Sequence, residues 1–376
     1  MLVRNPYTHD TRVEKEARTL VGAGYRVTVV GDAGPGLPER EARDGSAVVR
    51  VPRPRLRIPG LRFVAHELTL ARRLRALRPT VMHAHDSNAL VPVGLAAWAK
   101  RTPYVYDAHE LWLERPRRER SRAYFALSRL YYRLVERLLV PRAAATITVT
   151  SPIVEHLAAR YDLPRVALVP NFPDFSDPPP PIRIHDLPGA ERLDEGRPVV
   201  LYLGGLMADR GLPELLDAVA LVPDVQLALL GGGVLGDALR AQAERIGIAD
   251  RVHLLPPVPP DDVIAAAASA DVGVSPTIPS SLNNRWSLPN KLFQYMAAGV
   301  PVVASDFPQV REVVEGARCG VVVDTTDPAR IADGIRRVLA DRDEAGSMGE
   351  RGRAAVADRF NWDVSARSLL EVYADL

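Results

Sequence analysis

The chain has 376 residues, 47% of them apolar and 25% charged, which excludes a disordered chain and gives enough material for two or three domains of about 100–200 residues each. Its one cysteine, Cys319, excludes an internal disulfide framework and fits a reducing cytoplasm, no apolar run approaches the roughly 18 residues of a membrane-spanning helix, and the N-terminus lacks the apolar core of a signal peptide. The formal net charge of +2 hides an asymmetry: residues 1–178 hold 29 Lys and Arg against 18 Asp and Glu, and the remainder 19 against 28, so the first half is expected to meet an anionic partner, a phosphorylated acceptor or a lipid surface.

Along the chain, short apolar runs alternate with amphipathic stretches. Leu2–Arg4 reads as a short first strand ended by Asn5-Pro6. Asp10 can cap a helix with Val13, Ala17, Leu20 and Val21 on one face, stopped by Gly24 before a strand at 26–30. A strand at Ala47–Val51, a basic helix near Leu61–Leu77 and an apolar strand at 80–86 follow. His83 and His85 share one face of that strand by its period of two, at the carboxyl end where open α/β sheets bind ligands. No third His, Cys or carboxylate ligand is marked out by spacing, so no metal site is assigned.

A small-residue helix around 94–99 leads to the strand 103–110, which sets Asp107, His109 and Glu110 at its carboxyl end. The stretch Arg115–Arg142 then interleaves Arg with Tyr, Phe and Leu. Phe125, Leu130, Leu134 and Leu138 are expected in the core with arginines snorkelling outside, and docking on a membrane surface is the alternative use of the same pattern. Strand 146–151, a helix from Pro152 and strand 166–172 complete a first Rossmann-like half. Residues 172–197, with four consecutive prolines, read as a semi-rigid linker.

The second half repeats the alternation, with strands at 199–205, 226–233, 252–255, 272–275 and 320–324 separated by helices, which predicts a parallel sheet covered on both faces. Gly231, Gly233 and Gly236 form a literal GxGxxG after a strand and before a helix. This raises an NAD(P)-dependent oxidoreductase as one alternative, although the motif sits on the second strand of its half and lacks a following acidic residue at a strand end. Asp341-Arg342-Asp343 lies among charged residues and reads as solvated surface.

The stretch Ser281–Asp306 is a loop, helix and strand. Ser287 can cap the helix, Pro289 suits its first turn, Gly299 stops it, and 301–304 reads as a buried parallel strand. Leu288, Leu292 and Met296 make the core stripe, leaving Lys291, Gln294 and Ala298 on the opposite face beside a helix N-terminus that favours an anion. With only three lysines in the chain, a Lys there is not the local habit.

The segment SLPNKLFQYMAAGVPVVASD, residues 287–306, resembles the donor site of retaining GT-B glycosyltransferases of family four (glycosyl transferases group 1). Supporting stretches are VYDAHELW at 105–112, HDTRVEKEARTL at 9–20, GGLMADRG at 204–211, Val169–Asp174 and the closing FNWDVSARSLLEVY. The resemblance implies an α/β fold of two Rossmann-like, doubly wound parallel-sheet domains facing a cleft. Residues 1–171 would form the acceptor domain, 198–360 the nucleotide-sugar domain, and 361–376 a helix packing back toward the first. It implies retaining transfer from a nucleotide-diphosphate sugar to an acceptor hydroxyl, with no cofactor and no metal. By position, His109 and more loosely Glu110 would meet the sugar. Arg210 and Lys291 would hold the diphosphate, with Gly204, Gly205, Gly232, Gly233, Ser287, Leu288, Pro289, Asn290 and Leu292 around the donor, Gln294 on the ribose, and Asp10, Arg12, His85 and Asp86 near the acceptor. Three positions depart from the family pattern: Gly205 replaces an Arg, and Trp286 and Gln294 replace an acidic pair. Gln294 can still hydrogen-bond a ribose hydroxyl, whereas Trp286 cannot stand in for a carboxylate, which makes a binding-only protein the second alternative. The acceptor is expected to be a small molecule, a glycan or a lipid-linked group, with no nucleic acid. The protein is expected in the cytoplasm, able to sit peripherally at the inner face of the membrane.

Overall fold

In the computed structural model, residues 1–8, 10–115, 121–175, 180 and 182–376 are described, with only the backbone of Lys100. The opening Pro116–Arg120 of the predicted basic helix and most of the proline run 178–181 lie outside them. Contacts divide the chain into two units: Met1–Asn171 with Asp363–Leu376, and Phe172–Trp362.

Unit 1 contains β1 (Thr28–Asp32), β2 (Arg40–Arg43), β3 (Ser46–Val51), β4 (Met82–His85), β5 (Tyr104–Ala108), β6 (Ala145–Thr148) and β7 (Ala167–Leu168). The ladders run β1-β3-β2 and β4-β5-β6-β7, with parallel pairing everywhere except β2 against β3. Leu2 joins the two ladders by single parallel bridges to Val30 and Ala84, so the expected first strand contributes one residue to the pairing. The hairpin β2–β3 was not anticipated from the sequence, although Asp44-Gly45, both at positive φ, is the turn dipeptide that specifies one. The central strands β4 and β5 are buried along their whole length, as parallel strands covered on both faces must be.

Unit 2 contains β8 (Val199–Leu203), β9 (Gln226–Leu230), β10 (Val252–Leu255), β11 (Val272–Ser275), β12 (Val302–Ser305) and β13 (Gly320–Val323). All pairs are parallel and the order is β10-β9-β8-β11-β12-β13. The order reverses between β8 and β11, the switch point at which the loops leaving the strands part and open a ligand crevice. Residues 182–197 are part of this unit rather than a free spacer. Ile184, Ala190 and Leu193 are buried in its core with Phe172, and the Ile182 amide donates to the Ala265 carbonyl at 3.1 Å.

Helix Arg122–Leu139 departs from expectation. Its inward side carries Val135 and Glu136, whereas Leu130, Leu134 and Leu138 are exposed and not core. The helix turns its one acidic residue inward, and a leucine stripe faces out.

Candidate active site

In unit 2 the loops at the carboxyl ends of β8, β9 and β11 meet. Tyr202, near the end of β8, is fully buried, and the Lys291 ammonium lies over its ring at 3.7 Å from the centroid. That contact is worth about 2 kcal/mol when desolvated. Burial, and secondarily the charge of Arg210, push the Lys291 pKa well below its ordinary value. Neither Lys291 nor Arg210 has an ion pair with a carboxylate among the described residues. Two basic groups held near one another, with no carboxylate paired to either among the described residues, make a site where a phosphate group would favour the charged form of Lys291.

Glycines shape the rest of that site. A Cβ on Gly231 would stand 2.1 Å from the Gly204 carbonyl oxygen and one on Gly233 2.3 Å from that of Leu206, so the loops after β8 and β9 are in backbone contact. A Cβ on Gly232 would meet nothing within 4 Å. The Leu206 amide donates to the Gly232 carbonyl at 3.0 Å, and the Ile278 amide donates to the Asp209 carbonyl at 3.3 Å, tying the loops after β8 and β11 together. GxGxxG here serves loop-on-loop packing, which accounts for the motif without a dinucleotide.

The helix carrying Lys291 is Asn290–Ala297, preceded by a short helix Leu282–Arg285 capped by Ser281. Ser287 does not cap the longer helix. Its hydroxyl donates to the Asn284 carbonyl at 2.8 Å, and Pro289 occupies the cap position with no side-chain hydrogen bond. Leu288 is half-buried against the core and Asn290 is exposed. Leu292 is fully buried in the core and its amide already donates to Pro289, so it cannot line a ligand site as expected. Gln294 is half-buried on the side away from Met296.

Unit 1 holds a second, different cluster. Arg12, on helix Thr11–Gly22, grips Asp107 with two hydrogen bonds of 2.9 and 2.8 Å, reaches the Val169 carbonyl at 2.7 Å and pairs with Glu16 at 3.0 Å. His109 Nε2 lies 2.8 Å from the same Asp107 carboxylate and His85 Nδ1 3.2 Å from it, while His83 Nδ1 meets the Tyr373 hydroxyl at 2.8 Å. On its other side, the His109 amide donates to Asp86 Oδ1 at 3.0 Å, and its Nδ1 is 3.7 Å from Asp86 Oδ2. Asp86 has φ of +64°, a strained conformation for a residue with a Cβ and typical of functional turns.

The charges follow from burial and partners. Burial alone would lower the His109 pKa, but the Asp107 and Asp86 charges outweigh it and raise it to about 10. Burial would raise Asp107, yet Arg12 and His109 hold it well below the carboxylate range. Burial takes His85 down to about 4 and Asp86 up to about 6, and burial with the neighbouring Asp107 charge raises Glu16 well above its usual value. His109 is therefore a fixed imidazolium with its side chain 21% exposed.

Glu16, His83, His85 and Asp107 also bring metal-capable atoms within 4.8 Å of one another, a grouping the sequence reading lacked because Glu16 comes from another element. The Arg12 guanidinium already occupies both carboxylates, supplying the positive charge a cation would bring. The cluster is built as an ion-paired network.

Two family descriptions match, one to each half: Glycosyltransferase Family 4 over residues 10–177 and Glycosyl transferases group 1 over residues 197–341. The chain belongs to the group 1, family 4 glycosyltransferases. Among relatives, this family member is 33% identical over 198 residues to the GDP-mannose-dependent alpha-(1-6)-phosphatidylinositol monomannoside mannosyltransferase of Mycobacterium tuberculosis, covering 51% of each chain. It is 29% identical to the alpha-maltose-1-phosphate synthase of Mycolicibacterium smegmatis over 88% of each. The chain thus spans about half the length of the first curated relatives it matches. The GT-B fold is shared with sucrose-phosphate synthase from Thermosynechococcus elongatus, with TM-score 0.77 and 23% identity over 96% of this chain and 92% of that one. It is also shared with Anabaena HepE in complex with UDP-glucose, with TM-score 0.76 and 19% identity over 100% and 98%.

Within this family member the residues expected near an acceptor divide. Asp10 caps the helix Thr11–Gly22 and accepts from Asn5 at 2.8 Å; Arg12 and His85 are buried in the network and position Asp107 and His109 rather than face a substrate. Glu110 pairs with Arg115. Asp86 and His109 keep partial exposure. Asp107, expected beside His109 at its strand end, is the hub of the network, whereas Glu16 and Tyr373 are not among the expected site residues. Arg12 and Glu16 are an i, i+4 pair, a signal the sequence did carry. Nothing in the spacing linked Tyr373 to His83, 290 residues away.

Proposed function

We propose that this chain transfers a hexosyl group from a nucleoside-diphosphate sugar to an acceptor hydroxyl, with retention of anomeric configuration and without a metal ion. The observation carrying this reading is the pair Arg210 and Lys291, two basic groups without carboxylate partners among the described residues, beside the β8/β11 switch point. Family membership and the names of the relatives agree with it. Arg210 can take a diphosphate bidentately and Lys291 adds a point charge. In the transfer, the bond from the anomeric carbon to the phosphate oxygen breaks, and a bond to the acceptor oxygen forms on the same face. The acceptor proton passes to the leaving phosphate oxygen, whose developing negative charge Arg210 and Lys291 stabilise. Gln294 holds the ribose, and His109, cationic and oriented by Asp107, makes the polar contact to the sugar. The acceptor is a small molecule, glycan or lipid-linked hydroxyl compound, and unit 1 carries the charge for contact with an anionic membrane surface.

Thermal shifts with UDP, GDP, TDP, ADP and NADH, each with and without Mg²⁺, test the reading. A ligand at about 100 times its dissociation constant stabilises by about 2.7 kcal/mol. Stabilisation by one nucleoside diphosphate in EDTA supports the donor site and names the base. A response to NADH alone, or to no nucleotide at all, overturns it. Nucleotide-sugar binding with no transfer to any hydroxyl would instead support a binding protein, with Gly205, Trp286 and Gln294 as the altered contacts.

A further inference from the structure

The outward surface of unit 1 shows a pattern that folding alone does not require. On helix Arg122–Leu139, Leu127, Leu130, Leu134 and Leu138 are 69%, 51%, 51% and 55% exposed and follow one another at i, i+3, i+7 and i+11, a single stripe about 16 Å long. Helix Pro59–Ala76 repeats the arrangement with exposed Leu61, Val64 and Leu68. The two helices touch through Phe63 and Tyr131, whose ring centroids are 5.7 Å apart.

The charges on these helices are sorted by face. Their acidic residues point inward and are bonded there: Glu67 to Arg4 at 2.6 Å, and Glu136 to Ser87 at 2.5 Å and to Tyr161. The exposed charges on the two helices are all arginines, Arg62, Arg72, Arg75, Arg122, Arg133 and Arg137, and none has a carboxylate partner among the described residues. Exposed leucines beside arginines, with no exposed acid on either helix, are the two-part signature of a helix that lies in a bilayer interface. The same charge argues against self-association, since a second copy would present arginines to arginines.

We propose that the outer faces of helices Pro59–Ala76 and Arg122–Leu139 dock unit 1 on an anionic lipid bilayer, the leucines entering the headgroup boundary and the arginines meeting lipid phosphates. This holds whether or not the transfer reaction is as proposed above, because it uses none of the donor-site residues.

Co-sedimentation of the full chain with vesicles of phosphatidylcholine alone, or with phosphatidylglycerol added, tests it. Binding should be at least tenfold stronger with the anionic lipid and should fall steeply at high salt. The double variants Leu130→Asp with Leu134→Asp, and Arg133→Glu with Arg137→Glu, should each lose at least tenfold in vesicle binding. Both should keep the wild-type melting temperature, because all four residues are exposed. Equal sedimentation with and without anionic lipid, or wild-type binding by either variant, overturns the proposal. A concentration-dependent dimer in light scattering without vesicles, abolished by the leucine variant, overturns it in favour of self-association. Nucleotide thermal shifts on the same variants keep this result separate from the donor-site reading.

Discussion

The two polar sites of this protein follow opposite strategies. The unit 1 cluster is closed upon itself: Asp107 takes two hydrogen bonds from Arg12 and lies within hydrogen-bonding distance of His109 and His85, so its charges are matched before any ligand arrives. The unit 2 site is left open, with Lys291 lying on an aromatic ring near Arg210 and no carboxylate paired with either among the described residues. The first arrangement buries charge safely and fixes the orientation of one imidazolium. The second disfavours the charge on Lys291, which a bound anion would restore. Removing a charge should therefore damage the first site's stability and the second site's affinity.

The largest expected effect is in unit 1. Asp107→Asn removes the carboxylate that Arg12 and His109 share, leaving Glu16 beside the one and Asp86 beside the other, and should cost about 3–5 kcal/mol of stability, read by urea unfolding. A loss below about 1 kcal/mol would show that the network is not held by that carboxylate. In unit 2 the contrasting variant, Lys291→Ala, should weaken nucleoside-diphosphate binding by about 1.5–3 kcal/mol in calorimetry while leaving the unliganded melting temperature unchanged or higher. An unchanged dissociation constant would remove Lys291 from the donor site.

The glycine loops offer a smaller, internally controlled comparison. Gly233→Ala drives a methyl group into the Leu206 carbonyl and should cost about 1–3 kcal/mol, whereas Gly232→Ala points into open space and should stay within about 0.5 kcal/mol of wild type. Equal melting temperatures for the two would contradict the loop contact.

The pH dependence is the most gradual effect, spread over several pH units, and works at both ends. His85, lowered to about 4, contributes stability that is complete above its unfolded value near 6.5 and is lost as pH falls through 4. His109, raised to about 10, contributes stability that is complete below about 6.5 and is lost as pH rises through 10. Melting temperature against pH should fall at both ends, and His109→Gln should flatten the alkaline limb alone.

Much of unit 2 was legible in the sequence because its information is local. Strand, glycine turn and helix follow each other within a few residues, so Lys291 and Gln294 lie off the buried stripe of Leu292 and Met296 as expected, and the buried strands are unbroken apolar runs. Local reasoning failed where two elements compete for one residue. Ser287 had the chemistry of a cap, but the preceding short helix took its hydroxyl. Leu130, Leu134 and Leu138 had the spacing of a core stripe, and periodicity alone cannot say whether the apolar face of an amphipathic helix turns inward.

By itself the sequence determined the two α/β halves, the family, the glycine loops and the cationic helix start, because periodicity, turn chemistry and motif order are properties of neighbours along the chain. Only the tertiary structure decided that Arg12, Glu16, His83, His85, Asp107, His109 and Tyr373 form one network. Only it turned the leucines of helix Arg122–Leu139 outward. Both depend on which distant elements meet, and a buried charge or an exposed leucine is defined by what packs against it rather than by what precedes it.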